Sequence, residues 1–316
     1  MGFAIGLLLL GAAVVAVARH ADPLRDAWSR LAGGSWWIAA WMLVLPIVHL
    51  PLTGAIFRFA TAKDPMGRER VGLGEMTALI ATANLGNYLP LRPGLVARLA
   101  YHRSVNAISV VESAKILAGV VASGLAAGGV LVLASLAAAR AAQAGAGEGS
   151  QAGIVSVPLI VALAGAVLGG GPRATLGRWW LVWALRYVDL VVWAGRYMLG
   201  FWMVGQVLSP SQAAIYAVVG NLAMLVPIAG NGIGLREWAV GLAAPWLPAW
   251  LLAGGSASEQ AEALSVDLMN RAGEVLMALA AAPPAGWYLS RHVRRIATNR
   301  AGSSSVQRTG DSAPRA

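Results

Sequence analysis

Long apolar runs separated by short polar passages dominate the chain. Six of them lie near residues 2–18, 35–57, 107–138, 154–170, 179–206 and 262–289. At about 1.5 Å per helical residue each is long enough to cross roughly 30 Å of hydrocarbon, so each is expected to be a membrane-crossing helix. The first run ends in Ala16-Val17-Ala18, which resembles a signal-peptide cleavage site, but no basic residue precedes it; it is read as a crossing.

Two further apolar regions, 76–91 and 212–253, are interrupted. The first contains NLGNYLPLRPGLVAR from Asn84 and the second NLAMLVPIAGNGIGLRE from Asn221, and each has a proline six residues after that Asn, at Pro90 and Pro227. Arg58 precedes Asn84 by 26 residues and Arg196 precedes Asn221 by 25, so the match extends beyond the motif. Backbone freed by Pro and Gly survives at membrane depth only where protein or a water-filled cavity surrounds it. The two regions are therefore expected to be re-entrant hairpins; the plainer alternative is two kinked helices at helix contacts.

Three crossings and one hairpin per half would turn the second half upside down relative to the first, an inverted repeat with its binding site at the junction. The expected fold is an all-α integral membrane protein with about six full transmembrane helices plus two re-entrant hairpins. One transmembrane domain would fill residues 1–290, with repeat one at about 1–138 and repeat two at about 154–290. The Ala/Gly/Ser-rich stretch 138–153 reads as a flexible linker, and residues 291–316 as a disordered cytoplasmic tail.

Basic residues test the orientation, because cytoplasmic loops collect them. Arg58, Lys63, Arg68 and Arg70, then Arg92, Arg98 and Arg103, then Arg173 and Arg178, and finally Arg291, Arg294, Arg295 and Arg300 fall on one side. Both termini are then cytoplasmic, in a cell inner or plasma membrane. The loop with Arg19, Arg25 and Arg30 runs against this assignment.

Composition agrees with a membrane chain: 58% of the 316 residues are hydrophobic and 12% charged, far from the balance of a soluble domain. The formal charge of +10 does not fall on one amphipathic face, so no nucleic-acid partner is expected. There is no Cys, and His20, His49, His102 and His292 are scattered, so neither a metal nor a cofactor is expected. A nucleotide site on Gly230, Gly232 and Gly234 would need a preceding strand and a soluble fold.

Ionisable residues inside apolar runs are the strongest candidates for chemistry. Glu112 and Lys115, Arg186 and Asp189, and the series Asp267, Arg271, Glu274 have helical spacing, and each set either neutralises itself within its own helix or meets a substrate. Arg98, Arg236 and Glu237 follow the breaks. An arginine fork fits a phosphate, and Gly94, Gly230, Gly232 and Gly234 let backbone N–H groups approach an anion. Glu237 would hold a headgroup amine, join an inter-helical pair, or bind a coupling proton. Asn84, Asn87 and Asn221 would bind a ligand or join helices.

At these motifs the chain resembles the lysylphosphatidylglycerol synthase transmembrane-domain family of flippase-like proteins. Asn87, Pro90, Gly94 and Arg98 match its first motif, Pro227, Gly232, Gly234 and Glu237 its second, and Arg271 the arginine of its final helix; Leu95 stands where the family has Glu. The resemblance implies movement of membrane phospholipid or lipid-linked precursors between leaflets. Some members carry a fused soluble aminoacyl transferase, but the resemblance here covers only the membrane part, so lysine transfer to lipid is not expected. The other expectations open at this point are an ion-coupled carrier of a small solute and a scaffold for a partner enzyme. No catalytic constellation of a membrane enzyme stands out, and the oligomeric state is not legible.

Overall fold

The computed structural model describes residues 2–19, 22–61, 70–89, 91–145, 147–226, 230–246 and 257–310. The secondary structure among them is helical, with no strand. In chain order the α-helices are α1 (Gly2–Arg19), α2 (Asp22–Ala32), α3 (Trp36–Ala60), α4 (Leu73–Asn87), α5 (Pro93–Ser104), α6 (Val110–Gln143), α7 (Glu148–Leu168), α8 (Thr175–Met203), α9 (Pro210–Leu225), α10 (Leu235–Trp246) and α11 (Ala257–Gly310).

A helix stands on each of the six apolar runs. Two of them, Trp36–Ala60 and Val110–Gln143, are long and apolar enough to cross a membrane, and a third span arises if the bent pair Ala4–Arg19 and Asp22–Ala32 is one element. The chain is thus all-helical, with two to three apolar helices compatible with a membrane protein. The other long helices, α8 and α11, carry Arg186, Asp189 and Arg196 and Asp267, Arg271 and Glu274 inside their apolar runs. Large apolar side chains such as Leu133, Val167 and Leu168 face outward, which a soluble surface tolerates only in small patches.

Three boundaries differ from those expected. The linker shrinks to a few residues, because α6 extends to Gln143 and α7 begins at Glu148; the Ala-rich AARAAQA stretch has high intrinsic helix propensity. The last helix continues to Gly310, through residues whose composition reads as a tail, while 311–316 lie outside the described residues. A short amphipathic helix, α2, fills the polar passage after the first run.

Local chemistry sets the helix ends. Ser109 caps α6 by accepting from the Glu112 N–H at 3.1 Å. Ser209 and Gln212 form a reciprocal capping box at α9, which satisfies two otherwise orphaned donors. The end of α3 is capped from another helix: Arg178 of α8 donates to the Phe59 carbonyl, with Nε at 2.9 Å, and to the Thr61 carbonyl. A guanidinium is well suited to free carbonyls at the negative end of a helix dipole.

Each interrupted region folds back on itself. In the first, the α4 and α5 axes come so close that a Cβ on Gly94 would overlap the Ala83 carbonyl. Farther along, Tyr101 of α5 donates to Glu75 of α4 at 3.0 Å, so the two limbs run antiparallel. In the second, Asn231 and Gly232 take left-handed conformations (φ 49° and 72°), and α10 returns beside α9 with Arg236 against Gly220. Gly234, at φ 79°, seats against Gly6 and Leu9 of α1. The Trp238 indole fixes that contact by donating to the Leu9 carbonyl at 2.9 Å.

The long helices α3, α6, α8 and α11 thread two hydrophobic clusters. One joins Leu50, Ile56 and Phe57 of α3 with Met76, Leu79 and Ile80 of α4, together with Val120, Val182, Met277 and Leu289. The other joins Met42 of α3 and Leu131 of α6 with Tyr197 and Phe201 of α8, Ala213, Tyr216 and Val218 of α9, and Val240 and Val266. The first hairpin packs through α4 on the C-terminal half of α3, and the second through α9 on the C-terminal half of α8. Because α3 and α8 run antiparallel in contact, with Trp37 near Trp202 and His49 on Asp189, the two hairpins lie toward opposite ends of that helix pair.

Candidate functional site

A cavity of about 400 Å³ lies where the two breaks approach each other. The first hairpin lines it with Asn84, Asn87 and Arg98, and the second with Asn221 and Asn231. Arg92, held at a left-handed φ of 49° just before α5, donates across to the Val226 carbonyl at 3.2 Å. Among the described residues the helices of the two hairpins are not extensively packed on one another.

Behind one wall lies a buried ionic network that unites three helices. Arg236 of α10, 0% exposed, bonds Asp267 through Nε at 2.9 Å and both Glu274 oxygens through Nη1 at 2.9 Å. Arg196 of α8 also reaches Glu274, at 2.8 Å, and Tyr197 donates to Asp267 at 2.6 Å. Arg271 of α11 donates to Glu237 at 2.8 Å and to the Asn231 carbonyl at 3.0 Å, which ties the second break to the last helix. Charges this deep are tolerable only when paired and hydrogen-bonded.

The same chemistry in the first hairpin has a different outcome. Arg98 is 8% exposed and lines the cavity, and its guanidinium lies 4.2 Å from the Phe57 ring centroid. Among the described residues it makes no ion pair and no hydrogen bond. Nearby, Arg186 pairs with Asp189 at 3.1 Å while its Nε, buried, has no partner. The Asn87 Oδ1 is likewise buried without a partner. A ring cannot neutralise a full positive charge, and the face of Phe57 offers no acceptor comparable to a carboxylate. The chamber therefore presents cationic donors with unused capacity.

Compared with protein-family models, curated proteins and solved structures, the chain matches none of them.

The candidate residues separate into three groups. Asn84, Asn87, Arg98 and Asn221 line the chamber, with Arg186 and Glu274. Arg236, Glu237, Asp267 and Arg271 sit behind it, bonded to one another and to Glu274. Gly94, Gly232 and Gly234 serve close packing or positive φ, Gly230 opens the short turn of the second break, and Pro90 and Pro227 lie outside the described residues. The expectation of self-neutralising sets fails in two places. Glu112 pairs with Arg70 at 2.8 Å rather than with Lys115, which is exposed, and the principal partners of Asp267 and Glu274 lie on α8 and α10. The series did not reveal these pairs because helical spacing reports only neighbours on one helix.

Arg196, which lines the chamber and donates to Glu274, was missed as a site residue, and so was His49. His49 of α3 lines the chamber, with Nδ1 2.6 Å from Asp189 Oδ1 and Nε2 3.2 Å from the Thr53 hydroxyl. The available signal was a lone imidazole in an apolar run, since such groups at membrane depth are rare and tend to mark pathways.

Proposed function

We propose that this is a multi-pass membrane protein that carries an anionic phospholipid or lipid-linked headgroup between leaflets through the chamber, as a carrier and not as an enzyme. The observation that carries the reading is Arg98, a buried guanidinium with no carboxylate partner among the described residues, facing a polar cavity at the meeting of two helix breaks. A phosphate would supply the missing counter-charge and accept the unused donors of Arg98 and Arg186. Arg236 and Glu237, whose bonds are made within the protein, would hold the wall rather than the substrate.

Six crossings, two re-entrant hairpins and an inverted repeat with both termini cytoplasmic are the architecture we infer. Supporting this is the packing of the first hairpin on α3 and of the second on α8, two antiparallel helices in contact with each other. The likeness of the motifs to flippase-like proteins supports the same reading. Rocking of one half against the other would expose the chamber alternately to each face. In liposomes, the purified protein is expected to accelerate transfer of a labelled anionic phospholipid between leaflets, with Arg98→Gln abolishing most of the gain. A rate equal to that of protein-free liposomes sinks the proposal.

The His49, Asp189 and Arg186 group favours a second reading, an ion-coupled carrier of a small anionic solute, because a protonatable pair opens on the same chamber. Uptake of soluble anions into liposomes, with no lipid transfer, would select it.

A further inference from the structure

A second cavity, of about 460 Å³, runs between α6, α8 and α9. Its walls are almost wholly apolar: one face of α6 from Val120 to Leu133, Leu190 of α8, and Val218 and Leu222 of α9. It opens onto the polar chamber, and Val121, Arg186, Asn221 and Leu225 line both. At its other end the α6 side chains Leu125 and Leu133 are exposed, the latter 67%, so the groove has a lateral mouth. Gly124, Gly128 and Gly129 make the room; a Cβ on Gly129 would meet nothing within 4 Å.

Resting on the headgroup reading above, we infer that this groove holds one hydrocarbon chain of the substrate while its anionic head sits in the chamber, so the substrate is an anionic amphiphile bound head-in and chain-sideways. Three features identify the occupant. The apolar surface is continuous with the cationic chamber and shares Arg186, whose buried Nε has no partner, at the junction where head meets chain. Arg98, itself more than nine-tenths buried, faces the same space without an acid. The thirteen residues from Val121 to Leu133 span about 18 Å, close to the roughly 15 Å depth of one leaflet's hydrocarbon. The volume falls within the range of about 300–1,000 Å³ usual for small-molecule sites. A free phosphate would use the chamber alone and leave the groove without a role.

The test uses full-length protein in phosphatidylcholine nanodiscs doped with either of two photoactivatable lipids. Both carry a diazirine near the end of one acyl chain; one has a phosphatidylglycerol head and the other a phosphatidylcholine head. Cross-links from the anionic probe are expected at Leu125 to Leu133 and at Leu222 and Leu225, and in excess over the zwitterionic probe by about tenfold, the factor given by about 1.4 kcal/mol. Gly129→Leu, which fills the groove, should remove them, while Gly129→Ala, a control for folding, should retain most. Binding of glycerol 3-phosphate should survive Gly129→Leu and be lost in Arg98→Gln. Cross-linking indifferent to Gly129→Leu overturns the groove and leaves the headgroup reading intact. Labelling that disappears with Gly129→Leu yet is equal for the two heads and unchanged by Arg98→Gln makes the groove a site for bulk lipid, and overturns both.

Discussion

The two hairpins carry an arginine at matching places after their breaks, and the protein treats them oppositely. Arg236 is surrounded by carboxylates from α11, whereas Arg98 meets an aromatic ring and an open cavity. What differs is the acid supply. The last helix passes Asp267 and Glu274 beside the second hairpin, and residue 95, one turn before Arg98, is Leu. The same side chain is thereby a structural cross-link at one break and, among the described residues, a buried charge without an acid partner at the other.

The largest effect should come from destroying the cross-link. Arg236→Met leaves Asp267 facing no guanidinium and strips Glu274 of its bidentate partner, a loss of about 3–5 kcal/mol for a broken buried pair; thermal unfolding in detergent should show a steep fall in Tm or no folded protein. Arg98→Gln should separate stability from function, with Tm nearly unchanged or raised while anion binding falls by at least about tenfold, that is about 1.4 kcal/mol. A loss of stability as great as that of Arg236→Met would erase the contrast. Next, Leu95→Glu would give Arg98 an acid at the i, i+3 position, worth about 0.2–0.5 kcal/mol in an exposed helix. It should weaken anion binding without harming the fold, and unchanged affinity would show that Arg98 does not bind the anion. The smallest effect belongs to Glu112→Gln, which removes the part-exposed pair with Arg70 and should shift stability by at most about 1 kcal/mol.

Where helices lie was readable from hydrophobic runs, since burying or embedding a continuous apolar segment satisfies its backbone within the helix. The limits of α6 and α7 were not, because an alanine-rich connection looks like a linker by composition and like a helix by propensity. Of the site, Arg98 and the asparagines were visible as polar groups beside breaks, and the Arg186–Asp189 pair was visible from spacing. The function of Arg236 and Glu237 was not legible, since their partners come from a distant helix. The pairing of His49, though not the lone imidazole itself, was invisible for the same reason: its carboxylate lies 140 residues away in sequence. Pairing of this kind is a property of the assembled bundle.

The Arg92 guanidinium reaching the Val226 carbonyl bears on how the molecule moves. A packed interface between the hairpins would have to shed apolar contacts and admit solvent before it opened. A strap from a side chain to a main-chain oxygen can let go and re-form with water at either end at little net expense. In the proposed carrier, parting of the two hairpin tips would break this polar strap, and its speed should be sensitive to substitution at residue 92 long before the cores on either side loosen.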